Sequence, residues 1–277
     1  MAEFVQGVDL SVYQGRVDQS VWDAMAADGQ RVAVVGSWHG STQNPYAEGN
    51  LLRARRAGME PSTYVMMRGG LDGGVAVDLA RAACGSEWGH IRAVAIDAEL
   101  DGTTKATIRQ GLARARELGK RTCVYTGRWW WVGHFGNPTD FKDEKLWYAF
   151  YDGDPDIDFA SAPFGGWTLD DVVGEQYIGT VGYHGTEVDR NSFNSEFWID
   201  AEEEEEGDDM AYPLAFVKTV APNPNKTYMI NFQKGTATWI NFEGGSKAID
   251  EAQRIGHAEA PDVKIVEPEY LLLFDVM

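Results

Sequence analysis

Short apolar runs recur along the first two thirds of the chain, separated by segments of a different period. The runs are VQGVDLS (5–11), RVAVVGSW (31–38), PSTYVMM (61–67), IRAVAIDAEL (91–100), RTCVYTG (121–127), KLWYAFYD (145–152), VVGEQYIG (172–179) and TEVDRNSF (186–193). Several are almost continuous in Val, Ile, Ala and Leu, the composition of strands buried on both faces. Between them, NLLRARRAG, VAVDLARAACG and TIRQGLARARELG read as amphipathic helices. The first and last end at the C-cap candidates Gly58 and Gly119, with Arg nearby. Strand–helix alternation of this kind predicts a parallel sheet covered on its outer face, and eight strands predict a barrel from which some helices are missing.

The pattern changes after EFWID. Residues 201–210, AEEEEEGDDM, carry seven acids and no base, which reads as a solvated linker. Residues 211–277 then offer the strands AFVKTV, TYMINF and ATWINF, a helix SKAIDEAQRIG, and the runs VKIVE and YLLLFDVM. The expected fold class is therefore α/β: an irregular TIM-like (β/α) barrel over 1–200, followed by a small α+β C-terminal domain over 211–277.

Composition narrows the function. A net charge of −19 argues against nucleic acid as a partner and against attraction to anionic membranes or wall polymers. Leaving out the acidic run, the charge is still −12. No apolar run reaches the ~20 residues of a membrane span, so no membrane insertion is expected. The opening MAEFVQGVDLS has no basic segment followed by an apolar one, so no secretory signal is expected. Cys84 and Cys123 are the only cysteines, and Cys123 reads as a buried free thiol. Without a Cys/His cluster at ligand spacing, no metal or other cofactor is expected.

Chemistry enters at strand ends. In a β/α barrel the reactive residues sit at the carboxyl face, where this register puts Asp9, Asp97, Glu99, Tyr125, Tyr151 and Asp189. Asp97 and Glu99, in AVAIDAEL, stand at i and i+2 and so point the same way from a strand. Two carboxylates in a partly apolar setting push each other's protonation apart, as glycoside hydrolysis requires. Flat sugar faces also need aromatic platforms. Candidates near strand ends are Tyr64, Tyr125, Trp147 and Tyr177, with Tyr151 also in range and one of Trp129–Trp131 expected at the cleft rim.

GVDLSVYQG, AVAIDAEL, VYTGRWWW, LWYAFYD and EQYIGTVGYHGTEVDRNSF occur in an order that resembles glycoside hydrolase family 25, the muramidase lysozymes common among phage endolysins. The resemblance covers about residues 5–195. It implies Glu99 as general acid and Asp97 as the carboxylate steering the substrate's 2-acetamido group, whose carbonyl attacks the anomeric carbon with retention of configuration. It implies Asp9 and Asp189 as the rest of an acidic floor, and bacterial peptidoglycan as substrate. It further suggests an endolysin held in the host cytoplasm until release to the wall. Three positions depart from the family. Tyr13 stands where relatives often have Trp, a tolerable change at a stacking position. VVGSWHGST replaces a polar segment and makes His39 a candidate contact. Glu175 replaces a common Trp and is expected to add an acid near the cleft. Arg190, between Asp189 and Asn191, either pairs with a carboxylate or points outward.

Two other readings use the same residues. A family 18-type chitinase would carry acids at the positions of Arg92 and Ala95, and both are missing. A non-catalytic wall-binding or virion-structural barrel would be expected to have lost some of the four acids. The C-terminal module, following a linker, suits wall targeting, with self-association or virion attachment as alternatives.

Overall fold

The computed structural model describes residues 3–199 and, beyond them, the backbone of three strands. Eight strands close into a barrel in chain order: β1 (Phe4–Leu10), β2 (Val32–His39), β3 (Glu60–Met66), β4 (Ala93–Asp97), β5 (Arg121–Gly127), β6 (Lys145–Ala149), β7 (Val172–Tyr183) and β8 (Thr186–Asn194). The intervening helices are α1 (Gln19–Ala27), α2 (Ala47–Arg56), α3 (Gly73–Cys84), α4 (Lys105–Glu117) and α5 (Arg128–Phe135), and α6 (Ser195–Trp198) follows β8. No helix among the described residues is long and apolar enough to cross a membrane.

Helical spacing explains the outer layer. The buried face of α2 is Ala47, Asn50, Leu51 and Ala54, and that of α4 is Thr107, Ile108, Gly111, Leu112 and Ala115. These steps of three and four put one stripe against the barrel. Gly58 and Gly119 follow α2 and α4 with φ of +85° and +75°, the left-handed backbone that ends a helix cheaply only at glycine.

The strands separate two cores. Outward side chains such as Ala33, Val35, Val65, Val94 and Ile96 pack under the helices, while Val32, Val34, Ala93, Ala95, Cys123, Trp147 and Phe193 fill the barrel itself. Large rings fit inside because glycine faces them. A Cβ on Gly36 would lie 2.3 Å from the Tyr64 ring, and one on Gly7 would lie 2.6 Å from both the Phe193 ring and the Val32 carbonyl oxygen. Both cysteines are buried free thiols.

One expectation is corrected here. The sheet is not wholly parallel, because β8 runs antiparallel to both β7 and β1. The cause is local. His184 and Gly185 connect β7 to β8 with φ of +49° and +89°, the positive pair that a two-residue hairpin turn demands. No helix follows β6 or β7 before the next strand; 3-10 turns at Phe159–Ser161 and Leu169–Asp171 occupy the β6–β7 connection instead.

By its internal contacts the chain divides into two units, Met1–Glu202 and Glu203–Met277. In the second, β9 (Leu214–Lys218), β10 (Thr227–Asn231) and β11 (Thr236–Ile240) form an antiparallel sheet of order β11-β10-β9. They fall on AFVKTV, TYMINF and ATWINF. The acidic run 201–210, the helix SKAIDEAQRIG and the runs VKIVE and YLLLFDVM lie outside the described residues.

The tight fit at Gly7 gives a stability test. The Val32 carbonyl is backbone and cannot rotate away, so Gly7→Ala should reduce unfolding free energy by about 1–3 kcal/mol, the usual cost of overpacking. Urea denaturation would measure it, and an unchanged midpoint would mean that β1 moves at no cost.

Candidate active site

At the carboxyl ends of the parallel strands a cavity of about 210 Å³ is lined by Asp9, Asp97, Glu99 and Asp189, together with Tyr13, Tyr64, Tyr125, Trp147 and Gln176. His39, Ser11 and Met66 complete its wall, and none of these lining residues is Lys or Arg. Among the described residues no group of three or more His, Cys, Asp or Glu side chains is arranged to hold a metal ion.

Two sets of acids meet here by different routes. Asp9 and Asp189 are register partners across the antiparallel β1–β8 pair, and residues directly opposite project to one face. Asp189 thus lies within a strand rather than at the carboxyl end of one, and the reversal of β8 is what brings it to the mouth. Asp97 is the last residue of β4, and Glu99 lies beyond the strand. Their common direction therefore comes from a turn rather than strand alternation. The Glu99 amide donates to Asp97 Oδ1 at 2.7 Å, and Glu99 Oε1 accepts the Gly127 amide at the end of β5.

Gln176 is the hub. Its Nε2 donates to Asp9 Oδ2 at 2.7 Å and to Asp189 Oδ2 at 3.2 Å, while its Oε1 accepts the hydroxyls of Tyr125 and Tyr151, each at 2.8 Å. Asn191 Nδ2 donates to Asp9 Oδ2 at 2.8 Å, and Trp147 Nε1 donates to Asn191 Oδ1 at 2.9 Å. Asp189 Oδ1 also accepts the amide and, at 3.3 Å, the hydroxyl of Thr180, whose φ of +40° is uncommon outside glycine. The two neighbouring carboxylates thus accept hydrogen bonds from residues of both β7 and β8.

The aromatic candidates divide by depth. Tyr64, Tyr125 and Trp147 are nearly buried and form the cavity's walls. The exposed rings are Tyr13 (91%), Trp129 (61%) and Tyr151 (57%). Trp129 lies near Glu99: a Cβ on Gly127 would be 2.6 Å from the Trp129 Nε1 and 3.2 Å from Glu99 Oε1. Trp131 of α5 is buried, and Trp130 stacks on His134 at 4.8 Å between centroids.

Two expected contributors are not in the cavity. Tyr177 follows inward-facing Gln176 and turns to the outside of the barrel, where its hydroxyl donates to Gln6 Oε1 at 2.6 Å. It is 3% exposed and offers no sugar platform. Glu175 also faces outward, and its carboxylate accepts the Tyr148 hydroxyl and, at 3.3 Å, the Asp158 amide. It therefore adds no acid to the cleft. Arg190 takes the outward course, over the rings of Tyr177 and Tyr183 at 5.9 and 5.1 Å. Gln176, Asn191, Tyr151 and Trp129 are the residues that the sequence reading undervalued. Alternation from Asp189 points to Asn191, but only the β6–β7–β8 pairing identifies Gln176 as the group between the acids.

The family described as Glycosyl hydrolases family 25 matches residues 8–171. Counting factor 50 of Dictyostelium discoideum is 28% identical over 193 residues, covering 65% of this chain and 63% of that protein. The chain thus spans less than two thirds of that relative's length. Two solved structures share the fold: a muramidase from Trichobolus zukalii (24% identity, TM-score 0.55, 69% of this chain and 93% of that one) and a lysozyme from Streptomyces coelicolor (21%, 0.56, 69% and 92%).

The electrostatics of the site follow from burial. Burial raises Asp97 well above the ordinary carboxylate range, and the neighbouring Glu99 adds to this. Burial also raises Glu99, against the opposing pull of hydrogen bonds from Gly127 and Thr126. Asp9 is pushed up to about 8 by burial first and Asp189 second, with Asn191 and Gln176 working the other way. Because folded Asp9 binds its proton more tightly than an unfolded Asp, its stabilising contribution is complete below about pH 4 and is lost as pH rises through about 8. Asp9→Asn keeps an acceptor for Gln176 and Asn191 but cannot ionise. Relative to the parent chain it should gain stability steadily from about pH 5 to about pH 8 in urea denaturation; a constant difference would contradict the raised Asp9.

Proposed function

The chain belongs to glycosyl hydrolase family 25, and from that premise we propose that it is an N-acetylmuramidase. It hydrolyses the β-1,4 bond between N-acetylmuramic acid and N-acetylglucosamine in peptidoglycan. The observation that carries this reading is the convergence of Asp9, Asp97, Glu99 and Asp189 in one cavity without a lining cation. Crowded, buried carboxylates are unfavourable to ionise in the resting protein. They become favourable once positive charge develops on a sugar ring, so the stabilisation appears in the transition state rather than the ground state.

The roles are those the family resemblance implies, and the shared cavity of the four acids supports them. Glu99 protonates the glycosidic oxygen as the bond to the anomeric carbon breaks, and its raised pKa favours the protonated form this needs. The 2-acetamido carbonyl oxygen of the same sugar attacks the anomeric carbon, while Asp97 holds the acetamido nitrogen. Water then opens the cyclic intermediate, giving its proton to Glu99. Two inversions at one carbon amount to retention. Tyr13, Trp129 and Tyr151 are the exposed rings around this mouth and provide flat faces for neighbouring sugars.

A second reading assigns the same four acids to binding alone. On that reading the barrel binds glycan without cleaving it. Purified peptidoglycan treated with the parent chain should acquire reducing N-acetylmuramic acid ends, identified by mass spectrometry. Glu99→Gln should reduce their formation by at least about 100-fold, the lower end of general-acid contributions. Reducing N-acetylglucosamine ends would identify a glucosaminidase instead, and binding without any new ends would favour the second reading.

We also propose that the C-terminal unit tethers the enzyme to the wall, in the setting of a phage endolysin released from the host cytoplasm. Its place after the acidic run supports a tether, which raises local substrate concentration without new catalytic contacts. Deleting 207–277 should leave cleavage of soluble glycan fragments intact and weaken retention on whole walls in a pull-down; equal retention would remove the tether.

A further inference from the structure

At the end of the barrel away from Glu99, the amino ends of β3, β4 and β5 border a second cavity of about 650 Å³. Its wall carries Arg55, His90, Arg92, Lys120 and Arg121, and Glu60 is the only carboxylate among the lining residues. In a chain of net charge −19 this is a local reversal of sign.

Two of these cations are held in place without being neutralised. Lys120 Nζ donates to the carbonyl oxygens of Trp88 and Ile91 at 2.8 and 2.7 Å. Arg121 Nη1 donates to the carbonyl oxygen of Phe197 at 2.8 Å and to that of Glu196. A carbonyl is a dipole, so it sets the position of a cation and leaves its net charge. Arg55 differs, being paired through two hydrogen bonds, at 2.8 and 3.1 Å, with the buried carboxylate of Glu87. Burial first, and Arg121 next, hold Arg92 below its ordinary range against the opposing pull of Glu60, and burial with Arg92 and Arg81 does the same to Lys120 against that of Cys84. Cations that disfavour one another in a concave place are stabilised together by an anion, and positions fixed in advance reduce what its binding must order.

The cavity is also open. A Cβ built on Gly58, Gly89 or Gly119 meets no atom within 4 Å. Its volume falls within the range of small-molecule sites and exceeds what a bare phosphate fills. From Arg92 to Asp97 is five residues along β4, roughly 16 Å, so an occupant here does not touch the acidic cavity.

We propose that this basic cavity is a binding site for a phosphate ester, its oxygens held by the guanidinium of Arg121 and the ammonium of Lys120. Arginine's planar fork matches phosphate oxygens two at a time, and Lys120 adds a point charge. The −19 of the whole chain does not exclude such a ligand, because the attraction acts within about 10 Å at ordinary salt. Free phosphate esters and phosphodiester polymers share the chemistry, and the test separates them.

The experiment is calorimetric titration of the full chain, at low salt, with inorganic phosphate, glycerol 3-phosphate and short glycerol phosphate oligomers. Glycerol 3-phosphate should bind at one site and weaken as salt rises. Gly89→Glu places a carboxylate at the rim from a backbone outside the left-handed region, with open space before its Cβ. It should weaken binding at least tenfold with an unchanged melting temperature, and Arg121→Gln should weaken binding similarly. Glu99→Gln should bind as the parent chain does, which places the site apart from the acids. Oligomers binding more tightly per phosphate than glycerol 3-phosphate would assign the site to a phosphodiester polymer, and equal or weaker binding to a small ester. Absence of binding by all three probes, preferred binding of inorganic phosphate over both esters, or full affinity in Gly89→Glu would overturn the proposal.

Discussion

Asp9 and Asp189 face each other across the β1–β8 pairing, and two acids so close inside a barrel demand donors. The upper half of the barrel is arranged to provide them. Gln176 donates to both, Asn191 to Asp9 and Thr180 to Asp189. The two amide side chains are themselves held: Tyr125 and Tyr151 fix that of Gln176 and Trp147 fixes that of Asn191. A buried polar network of this kind is stable only when its members are satisfied together. It ties β1, β5, β6, β7 and β8 to one geometry, with the β6–β7 connection added through Tyr151.

That constraint explains why the barrel closes with a hairpin. A parallel β8 preceded by a crossover helix would reverse the direction of the strand opposite Asp9. The short turn at His184–Gly185 instead returns the chain at once, so that Asp189 and Asn191 project inward two residues apart and Arg190 projects outward over Tyr177 and Tyr183. The same inward alternation puts Phe193 beneath them, in the space left by Gly7 and Gly174.

The two ends of the strands carry opposite charge. Acids that burial makes reluctant to ionise line the carboxyl mouth, and cations positioned by carbonyls line the amino ends of β3 to β5. Neither grouping lowers the energy of the empty protein. Local features that conflict with stability are expected where a ligand or a transition state resolves the conflict.

Much of this was legible along the chain, and the boundary of what was legible has a physical cause. All eight apolar runs became barrel strands, and RTCVYTG coincides with β5. Burial on both faces imposes an apolar pattern on each strand separately, and helical stripes and terminal glycines are equally local. The acids at 9, 97, 99 and 189 could be named because they interrupt that pattern. Strand direction is different, since apolar runs read alike in either sense, and β8 was reversed by a two-residue turn. Inward or outward facing at Glu175 and Tyr177 was settled by the pairing of β7 with β6 and β8, which sets Gln176 opposite Ala149 and Asn191 inside the barrel and its two neighbours outside. The partners of Gln176 lie 167 and 51 residues away in Asp9 and Tyr125. The sequence by itself determined which segments bury and, apart from Asp189 within β8, which acids stand at or near their ends. Only closure of the barrel decided which side chains converge, because a hydrogen bond between distant strands depends on register and direction, which no single segment contains.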